Sequence, residues 1–429
     1  MEKQTHVLII GAGMTGVLLA QALKTRDIAF SIYERDPNAH FRGPGWGLAI
    51  HWAKDTLLSL LPQILQDRLL EANVDPEGAL KGECGRFPLF DLGSGERLFE
   101  NVSENRIRVS RERLRELLMR DLTVNVSGSL HTIRRTDVLI LVQWNKRLEK
   151  IVQNSEHGIT VTFSDGTIAE GTHVIGCDGT RSKAREILCS LAGEDSHNYQ
   201  LDVRFLGCSV ELPTDVVFRI RQLDPLFLQG RHPNGSFFFF GIQETPPINE
   251  RGNYRCQVNV SWQYCKGFLG RDHPTEVPET QEARLALIRE IASHWTSPFQ
   301  DVVHSIPPGI PLQEIKLEDW LPSDSGAWDN MHGRATLIGD AAHAMTMYRG
   351  EAVNHGITDV QDLVECYLHT LSDPEEMLDC QEVCDAFEEK MLSRTKIAIR
   401  ASRQACLDAH YEEVIGEMSP LVSKRAILA

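Results

Sequence analysis

The N-terminal part of the chain combines apolar runs with a helical pattern. Val7–Ile10 is a continuous apolar run. It predicts a buried strand, because a strand covered on both faces shows no alternation. Apolar residues at helical spacing follow, among them Val17, Ala20 and Leu23, and a second apolar run covers Ile28–Tyr33. The order strand, helix, strand predicts a parallel α/β unit.

A hairpin pattern and another strand follow later. Ile159–Phe163 alternates between apolar and polar residues, and the pattern resumes at Thr167 after a Ser-Asp-Gly turn, as in a β-hairpin. Val174–Gly176 is a short apolar run that we interpret as a further buried strand. These segments extend the predicted α/β unit.

The middle of the chain has the pattern of an antiparallel sheet. Asn253–Gly267 alternates strictly, and Asp202–Leu212 and His232–Glu244 are two further strand candidates. We expect these strands to form a sheet, one face of which lines an apolar, aromatic pocket. In Asn253–Gly267, one face would carry Cys256, Val258, Val260, Trp262 and Tyr264, and the other Gln257, Asn259, Ser261 and Gln263.

Near the C-terminal end, an apolar strand runs into Gly339 and Asp340, and a helical pattern follows. An acid at this position is a natural hydrogen-bond acceptor, and the N-terminus of the next helix carries a partial positive charge. The apolar positions of that helix are Val353, Ile357, Val360, Val364, Tyr367 and Leu371. Beyond residue 375 the pattern is again helical and rich in polar residues.

Composition excludes several classes of protein. The formal charge of −16 argues against a nucleic-acid partner, because phosphate binding needs a clustered basic surface. No apolar stretch approaches the ~20 residues of a membrane span. The first residues show no basic signal-peptide region and no cleavage site. The ten cysteines form no CxxC pair, so we expect no metal site. We therefore expect a cytoplasmic protein without a membrane segment.

The first apolar run ends in a GxGxxG turn formed by Gly11, Gly13 and Gly16. The first glycine allows the tight turn, the second lets the backbone approach a pyrophosphate, and the third lets the helix pack on the strand. Glu34 ends the second strand, where a carboxylate accepts hydrogen bonds from a ribose. This arrangement predicts dinucleotide binding but does not separate NAD from FAD.

Three motifs in a fixed order narrow that choice. The GxGxxG unit, the Asp-Gly pair at Asp178 and the Gly-Asp pair at Asp340 resemble those of the single-component flavoprotein monooxygenases of the 4-hydroxybenzoate hydroxylase type. The resemblance implies an α/β fold with a Rossmann-like FAD-binding domain, an inserted antiparallel β-sheet substrate domain and C-terminal helices. The implied ranges are 1–185 and 320–375 for the FAD domain, 186–319 for the substrate domain and 376–429 for the helical segment.

The resemblance also implies roles for individual residues. Asp340 would bind a ribityl hydroxyl of FAD, and Arg111 would lie beside the flavin phosphates and ribityl chain. Asp178 would serve both FAD and NAD(P)H. Gly47 would lie close to the flavin edge, and Val353 would give its backbone N–H to the flavin ring.

The turn after Asp340 departs from the family pattern. Ala344 and Met347 stand where the family has prolines, and Ala352 stands where it has a glycine. Proline fixes the backbone beside the reacting flavin carbon, and methionine does not. FAD binding is therefore better supported by the sequence than efficient oxygen activation. We interpret His343 and His355 as structural.

The resemblance implies a monooxygenase that uses NADPH or NADH and O2 through a C4a-hydroperoxyflavin to hydroxylate or epoxidise an aromatic or polycyclic natural product. Arg204 would orient the substrate, and Tyr348 would border its pocket. One alternative keeps FAD but catalyses dehydrogenation or cyclisation without oxygen insertion. Another is a flavin-retaining binding or regulatory protein. The C-terminal helices would cap the domain or form a dimer, so we expect a monomer or a homodimer.

Overall fold

The computed structural model describes residues 5–43, 45–103, 105–120, 122, 142–155, 158–246, 252–323, 327–368, 379–412 and 414–423. The strands in this part of the chain are β1 (His6–Ile10), β2 (Ala29–Tyr33), β3 (Gly47–Ile50), β4 (Pro88–Asp91), β5 (Arg97–Glu100), β6 (Ile107–Ser110), β7 (Val142–Gln143), β8 (Leu148–Ser155), β9 (Gly158–Phe163), β10 (Ile168–Gly171), β11 (His173–Gly176), β12 (Tyr199–Gln200), β13 (Val203–Leu212), β14 (Phe227–His232), β15 (Ser236–Glu244), β16 (Tyr254–Gln263), β17 (Gln313–Glu314), β18 (Glu318–Asp319) and β19 (Ala335–Leu337).

The α-helices follow the same chain order. They are α1 (Met14–Lys24), α2 (Lys54–Leu60), α3 (Gln63–Gln66), α4 (Pro76–Leu80), α5 (Arg111–Met119), α6 (Lys183–Ala192), α7 (Thr214–Arg221), α8 (Gln281–Ala292), α9 (Phe299–His304), α10 (Asp340–His343), α11 (Ala352–Asp362) and α12 (Cys380–Tyr411). Short 3₁₀ turns cover Leu69–Ala72, Phe268–Gly270 and Met347–Arg349, and a π-helix covers Leu363–Leu368.

The apolar runs of the predicted α/β unit form a parallel sheet. Its strand order is β19-β11-β1-β2-β7, and every pair in it is parallel. Helix α1 packs on this sheet and buries Val17, Ala20 and Leu23 completely. The strand–helix–strand prediction is therefore confirmed. The predicted hairpin forms β9 and β10, and β9 also pairs with β8 in a separate antiparallel sheet.

The predicted substrate sheet has seven strands, in the order β17-β13-β16-β15-β14-β4-β5. The three strands expected from the sequence are adjacent and antiparallel. The structure corrects one boundary: β4 and β5 belong to this sheet, although they lie within the range 1–185 assigned to the FAD domain. Leu89 and Phe90 have strand character, but their partner β14 lies far away along the chain. The sequence pattern therefore did not show that β4 and β5 belong to this sheet.

The substrate sheet has two different faces. On its outer face, alternate residues such as Val258 and Trp262 pack with α7, α8 and α9 in a closed apolar core. On its inner face, the intervening residues point towards the FAD domain, where Gln257 accepts a hydrogen bond from the backbone N–H of Gly47 at 3.2 Å. The sequence did not decide which face of β16 would line the pocket, and the face with Cys256, Val258, Val260 and Trp262 is the outer one. Helices α7–α9 cover that face, because it is the more apolar one.

Helix α12 connects the two halves of the molecule. Its first half packs Cys384, Phe387 and Met391 into the core of the parallel sheet. Its second half packs Ala405 and Cys406 with inner-face residues of the substrate sheet. The predicted C-terminal helix is therefore confirmed, and its burial shows that it caps both domains. None of the helices within the described ranges combines the length and the apolar character needed to cross a membrane.

Candidate functional site

The GxGxxG turn is held by close backbone contacts. Gly11 has φ +108°, and its N–H donates to the carbonyl of Tyr33 at 2.7 Å. A Cβ on Gly11 would lie 2.5 Å from the carbonyl oxygen of Cys177, and one on Gly16 would collide with the carbonyl oxygen of Gly11. A Cβ on Gly13 would meet nothing within 4 Å. Gly13 thus borders open space, as the approach of a pyrophosphate requires.

Glu34 braces this turn. Its Oε2 accepts a hydrogen bond from the N–H of Ala12 at 2.8 Å, and its Oε1 accepts one from the N–H of Asp36 at 3.0 Å. The side chain is largely buried. Each carboxylate oxygen can accept more than one hydrogen bond. Glu34 can therefore bind a ribose hydroxyl while it holds the loop.

A cleft of about 670 Å³ opens along this turn. Eight of its lining residues are Arg or Lys and five are Asp or Glu, although the whole chain carries −16. The cleft therefore favours an anionic ligand. Five of the predicted cofactor residues line it, namely Gly11, Gly13, Glu34, Arg111 and Asp178.

Arg111 and Asp340 have side chains left available for a ligand. Neither side chain makes a hydrogen bond or an ion pair to any other residue that the structure describes. Burial lowers the pKa of Arg111, and the negative charge of Asp340 opposes this shift. The two groups are therefore close enough to interact electrostatically. Asp340 begins α10, directly after β19.

Asp178 shapes the other wall of the cleft. Its Oδ2 accepts hydrogen bonds from the N–H groups of Lys183 at 2.7 Å and Ala184 at 3.2 Å, and Ser182 donates to its Oδ1. These bonds satisfy the free N–H groups at the start of α6. Burial raises the pKa of Asp178, and the same hydrogen bonds oppose this shift. Its clear structural role is to fix α6 against the cleft.

Gly47 and Val353 lie outside the cleft lining but on neighbouring elements. Asn354, in the first turn of α11, accepts a hydrogen bond from the N–H of His51 at 2.9 Å and donates to the carbonyl of Ala49 at 3.1 Å. This side chain therefore joins α11, which carries Val353, to β3, which carries Gly47. Both residues are partly exposed.

The predicted structural histidines form a buried cluster behind the Asp340 turn. His343 and Asp359 are 2.6 Å apart, and Arg394 contacts Asp359 and His355 at 2.7 Å each. Asp359 also accepts a hydrogen bond from the N–H of Gly339 at 2.8 Å. Burial opposes the ionisation of Asp359, but His343 and Arg394 hold its pKa below the usual range. The cluster thus anchors the turn from behind.

Tyr348 lies on the inner face of the substrate sheet. Its hydroxyl is 2.9 Å from Oγ of Ser261, which is 2.9 Å from Nε2 of His410. The Nδ1–H of His410 donates to the carbonyl of Cys406 at 2.7 Å, so Nε2 is an acceptor. Burial lowers the pKa of His410 to about 4 and raises that of Tyr348 well above its usual value. Both rings are therefore neutral near pH 7.

Arg204 does not lie on the inner face of the sheet with Tyr348. It alternates with Phe205, so it shares the outer face with Leu206 and Cys208. Its guanidinium pairs with Glu276 at 3.1 Å and stacks 3.5 Å from the ring centre of Tyr264. The predicted placement of Arg204 beside the pocket is wrong, because one step along a strand reverses the face.

Several inner-face residues were not singled out from the sequence. The side chain of Gln243 donates to the carbonyl of Gly45 at 2.8 Å, and Trp46 reaches the sheet beside Gly207. Arg108 lies two residues before the end of β6 and is almost fully buried. The alternation of β16 did separate its polar face. Nothing in the sequence indicated which face would meet the FAD domain.

A group of metal-ligand type is also present among the described residues. His40 lies 3.5 Å from Glu112 and 3.6 Å from Glu116, at the surface of α5. His40 is two-thirds exposed. Exposed acidic groups of this kind are common without an ion.

Comparison with characterised proteins agrees with this geometry. A probable FAD-dependent monooxygenase of Arthroderma benhamiae is 46% identical over 430 residues, which is 98% of this chain and 95% of the relative. The FAD-dependent monooxygenase dbaB of Emericella nidulans is 34% identical over 95% of this chain and 97% of its own length. This chain is a member of the FAD-dependent monooxygenase family. No family model matches the sequence.

Solved structures share the fold of this monooxygenase. The 2,6-dihydroxypyridine-3-hydroxylase of Arthrobacter nicotinovorans has a TM-score of 0.70 at 17% identity and covers 100% of this chain and 99% of its own. A salicylate hydroxylase substrate complex has a TM-score of 0.68 at 17% identity, covering 97% of this chain and 90% of its own. At these identities the likeness shows the fold alone.

FAD fits the residues of the cleft. A flavin dinucleotide needs space at the second glycine, a positive group near its phosphates and acceptors for its hydroxyls. Gly13 leaves the space, and Arg111 in the cleft and Asp340 near it offer a positive group and an acceptor that pair with no other residue in the described ranges. Glu34 supplies another acceptor. The monooxygenase therefore has a site suited to its cofactor.

Proposed function

We propose that this monooxygenase uses NADPH or NADH and O2 to hydroxylate or epoxidise an aromatic or polycyclic substrate. The names of its curated relatives support oxygen transfer. Solved neighbours act on or bind ring compounds, among them a dihydroxypyridine hydroxylase and an FAD protein complexed with uric acid. The observation that carries the proposal is the basic cleft lined by Arg111, with Asp340 close enough to act on the charge of Arg111 and neither side chain paired to another residue in the described ranges.

In this proposal the predicted cofactor residues in and around the cleft would each hold one part of FAD. The N–H groups around Gly13 and the guanidinium of Arg111 bind the pyrophosphate. Glu34 accepts from the ribose, and Asp340 accepts from a ribityl hydroxyl. The backbone N–H of Val353 would donate to the ring, and the positive end of α11 would favour negative charge there. Bound FAD would take up a hydride from the nicotinamide and supply the reactive oxygen.

The rest of the chain positions the substrate and excludes water. Gln243 and Gln257 hold the strand start at Gly45 and Gly47 against the inner face of the sheet. A substrate bound between this strand and the sheet is shielded from solvent, which strengthens polar contacts. Tyr348 keeps its proton at neutral pH because burial raises its pKa. In the proposal it borders the substrate as a neutral hydrogen-bonding group.

FAD retention tests the cofactor roles. Asp340→Ala leaves a hydroxyl of FAD without its acceptor, which costs about 1–3 kcal/mol and weakens FAD binding about 5- to 150-fold. Purified Asp340→Ala should be pale, whereas Asp272→Ala, at an exposed position on the outer side of the substrate domain, should remain yellow. Full FAD occupancy in Asp340→Ala would overturn the role of this carboxylate.

Oxygen consumption tests the reaction. FAD-loaded protein should oxidise NADPH or NADH and take up O2 in equal amounts when an aromatic substrate is turned over. The measurement combines absorbance of the nicotinamide with an oxygen electrode and mass analysis of the product. Product that forms without O2 uptake would favour dehydrogenation or cyclisation instead.

A further inference from the structure

The inner face of the substrate sheet is organised in three rows that cross the strands. Because the register of β13, β16, β15 and β14 is continuous, residues in one row are direct neighbours. The first row is Phe205, Ser261, Phe237 and Arg231; the second is Gly207, Asn259, Phe239 and Gln229; the third is Ser209, Gln257, Gly241 and Phe227.

Asn259 stands near the centre of the middle row with an unused polar group. Its Oδ1 is buried and accepts no hydrogen bond from any residue in the described ranges, and only 3% of the residue is exposed. Its neighbours in the row are Gly207, which has no side chain, and Phe239. Buried amide oxygens are nearly always hydrogen-bonded in folded proteins. An unpaired one at this place indicates a partner that binds from outside the chain.

Trp46 covers this position. A Cβ placed on Gly207 would lie 2.7 Å from Oδ1 of Asn259 and 2.8 Å from Cη2 of Trp46. The indole and the amide therefore meet over the bare backbone of Gly207. Trp46 is partly exposed and lies between Gly45 and Gly47. Gly45 has φ +66°, so the backbone on this side of Trp46 has a conformation that favours glycine.

A second unpaired group lies beside the third row, next to Gly241. Nη2 of Arg108, in β6, is buried and donates no hydrogen bond to any part of the chain described here. It lies 2.7 Å from the place of a Cβ on Gly47, and a Cβ on Gly241 would collide with it. The guanidinium also lies 4.7 Å from the ring centre of Phe227. The missing side chains of Gly47 and Gly241 thus make room for this cation.

We propose that Asn259 and Arg108 bind the oxygen atoms of an aromatic substrate, and that its ring displaces the indole of Trp46 from Gly207 and packs against it. The inference rests on the proposed function, because it assigns the substrate to the same enzyme. It names the polar contacts that orient the ring. Both residues are positioning residues, and neither is assigned a chemical step.

The chemistry of the two groups defines the substrate class. The Asn259 amide donates and accepts hydrogen bonds, so it suits a hydroxyl or a carbonyl. The Arg108 guanidinium only donates and carries a positive charge, so it suits an ionised phenol or enol. Burial lowers its pKa to about 9, which leaves it charged at neutral pH. The substrate is therefore a ring that carries at least one acidic hydroxyl group.

Binding of simple phenols to the FAD-loaded protein tests this assignment. The probes are 2-naphthol, orcinol, 2,4-dihydroxybenzaldehyde and salicylate, and 2-methylnaphthalene is the analogue without a hydroxyl group. Binding is followed by the change in flavin absorbance. Asn259→Leu should weaken binding of the hydroxylated probes about tenfold, because it removes the amide but keeps the size. Binding of 2-methylnaphthalene should change less than about twofold.

Two further variants separate positioning from folding. Asn259→Ser keeps a hydrogen-bonding group and should recover part of the affinity. Arg108→Lys keeps the charge but loses the forked geometry, and should weaken the hydroxylated probes as well. Asn154→Leu makes the same change at an exposed position of β8 and should bind every probe like the unchanged protein. FAD content and the thermal unfolding midpoint show whether each variant is folded.

The outcomes distinguish this inference from the proposed function. The unchanged protein should bind at least one of the four hydroxylated probes at millimolar concentration, and binding of none would overturn the substrate class. Equal affinity in folded, FAD-loaded Asn259→Leu would overturn the role of Asn259. In either case, oxygen uptake driven by NADPH or NADH would still support the monooxygenase reaction. Loss of that uptake in the unchanged protein would instead overturn the proposed function.

Discussion

The cleft and the inner face of the sheet are built in opposite ways. The cleft is formed by turns that follow strands β1, β2 and β11, and backbone groups and charged side chains line it. The inner face takes neighbouring positions from four different strands and carries mainly neutral polar and aromatic side chains, with Arg231 at the end of one row. The comparison suggests that backbone geometry sets the cofactor site, whereas strand register sets the substrate site.

The largest effect is expected at the glycines of the cleft. Gly16→Ala would push a methyl group into the carbonyl of Gly11, and overpacking of this kind costs about 1–3 kcal/mol. We expect a less stable protein without FAD. Gly13→Ala meets no atom within 4 Å, so the fold should persist while FAD binding weakens. Urea unfolding and FAD content measure the two effects. Equal behaviour of the two variants would contradict the backbone origin of the cleft.

The second effect concerns a distant support of the cleft. Glu388 in α12 accepts hydrogen bonds from Thr336 in β19 at 2.6 Å and from Trp328 at 2.7 Å. Burial raises its pKa to about 7. Because the folded protein retains this proton more strongly, the stabilisation is present below pH ~4.5 and is lost as pH rises through ~7.

The measurement compares urea unfolding of FAD-loaded protein at pH 5 and pH 8. The free energy of unfolding should be lower at pH 8, with a contribution from Glu388 on the order of 2 kcal/mol. Glu388→Gln keeps a neutral side chain at both values and should reduce this difference. An unchanged pH dependence in Glu388→Gln would show that other groups cause it.

A smaller effect is expected at Met347, in the turn that follows Asp340, and this effect depends on the proposed reaction. Thr346 has φ −67° and ψ 161°, which a following proline permits. Met347 starts a 3₁₀ turn, so its φ suits proline. Met347→Pro should stiffen the turn and reduce the hydrogen peroxide released per nicotinamide oxidised, on the order of twofold. Parallel assays of nicotinamide oxidation and of hydrogen peroxide release measure this ratio. An unchanged or higher ratio would show that Met347 does not loosen the site.

The smallest effect is expected at Arg204, on the outer face. Its partner Glu276 is 63% exposed, and such pairs contribute about 0–1 kcal/mol. Arg204→Ala should therefore retain FAD, stability and substrate turnover. Steady-state kinetics of Arg204→Ala and Asn259→Leu compares a change on the outer face of the sheet with one on the inner face. A large loss of turnover in folded Arg204→Ala would restore the role predicted from the sequence.

The sequence predicted the cleft well because its signals are local. Gly11, Gly13 and Gly16 stand within one turn, and Glu34 follows in the next strand, so spacing alone relates them. Asp340 and its helix form a similar local unit. The strands of the substrate sheet were also predicted, since alternation is a property of each segment by itself.

The sequence did not reveal how these strands combine. Asn259 becomes a candidate only when Gly207 is its neighbour and Trp46 covers both, and these residues are separated by long stretches of chain. The pairing of β4 with β14 depends on the same kind of distant contact. The sequence also did not decide which face would border the FAD domain, because helices α7–α9, which cover the outer face, pack by apolar contacts without a local signature.

The backbone hydrogen bonds of the substrate sheet are the same whatever side chains project from its inner face. A substitution at Gly207, Gly241 or Asn259 therefore alters the shape offered to a ring by one side chain, while the strands keep their register. Under the proposed function, such a change would alter which ring fits the inner face without altering the separate parallel sheet behind the cleft. The two glycines tolerate such a change only if their neighbours move, because a Cβ on Gly207 would crowd Asn259 and Trp46, and one on Gly241 would crowd Arg108.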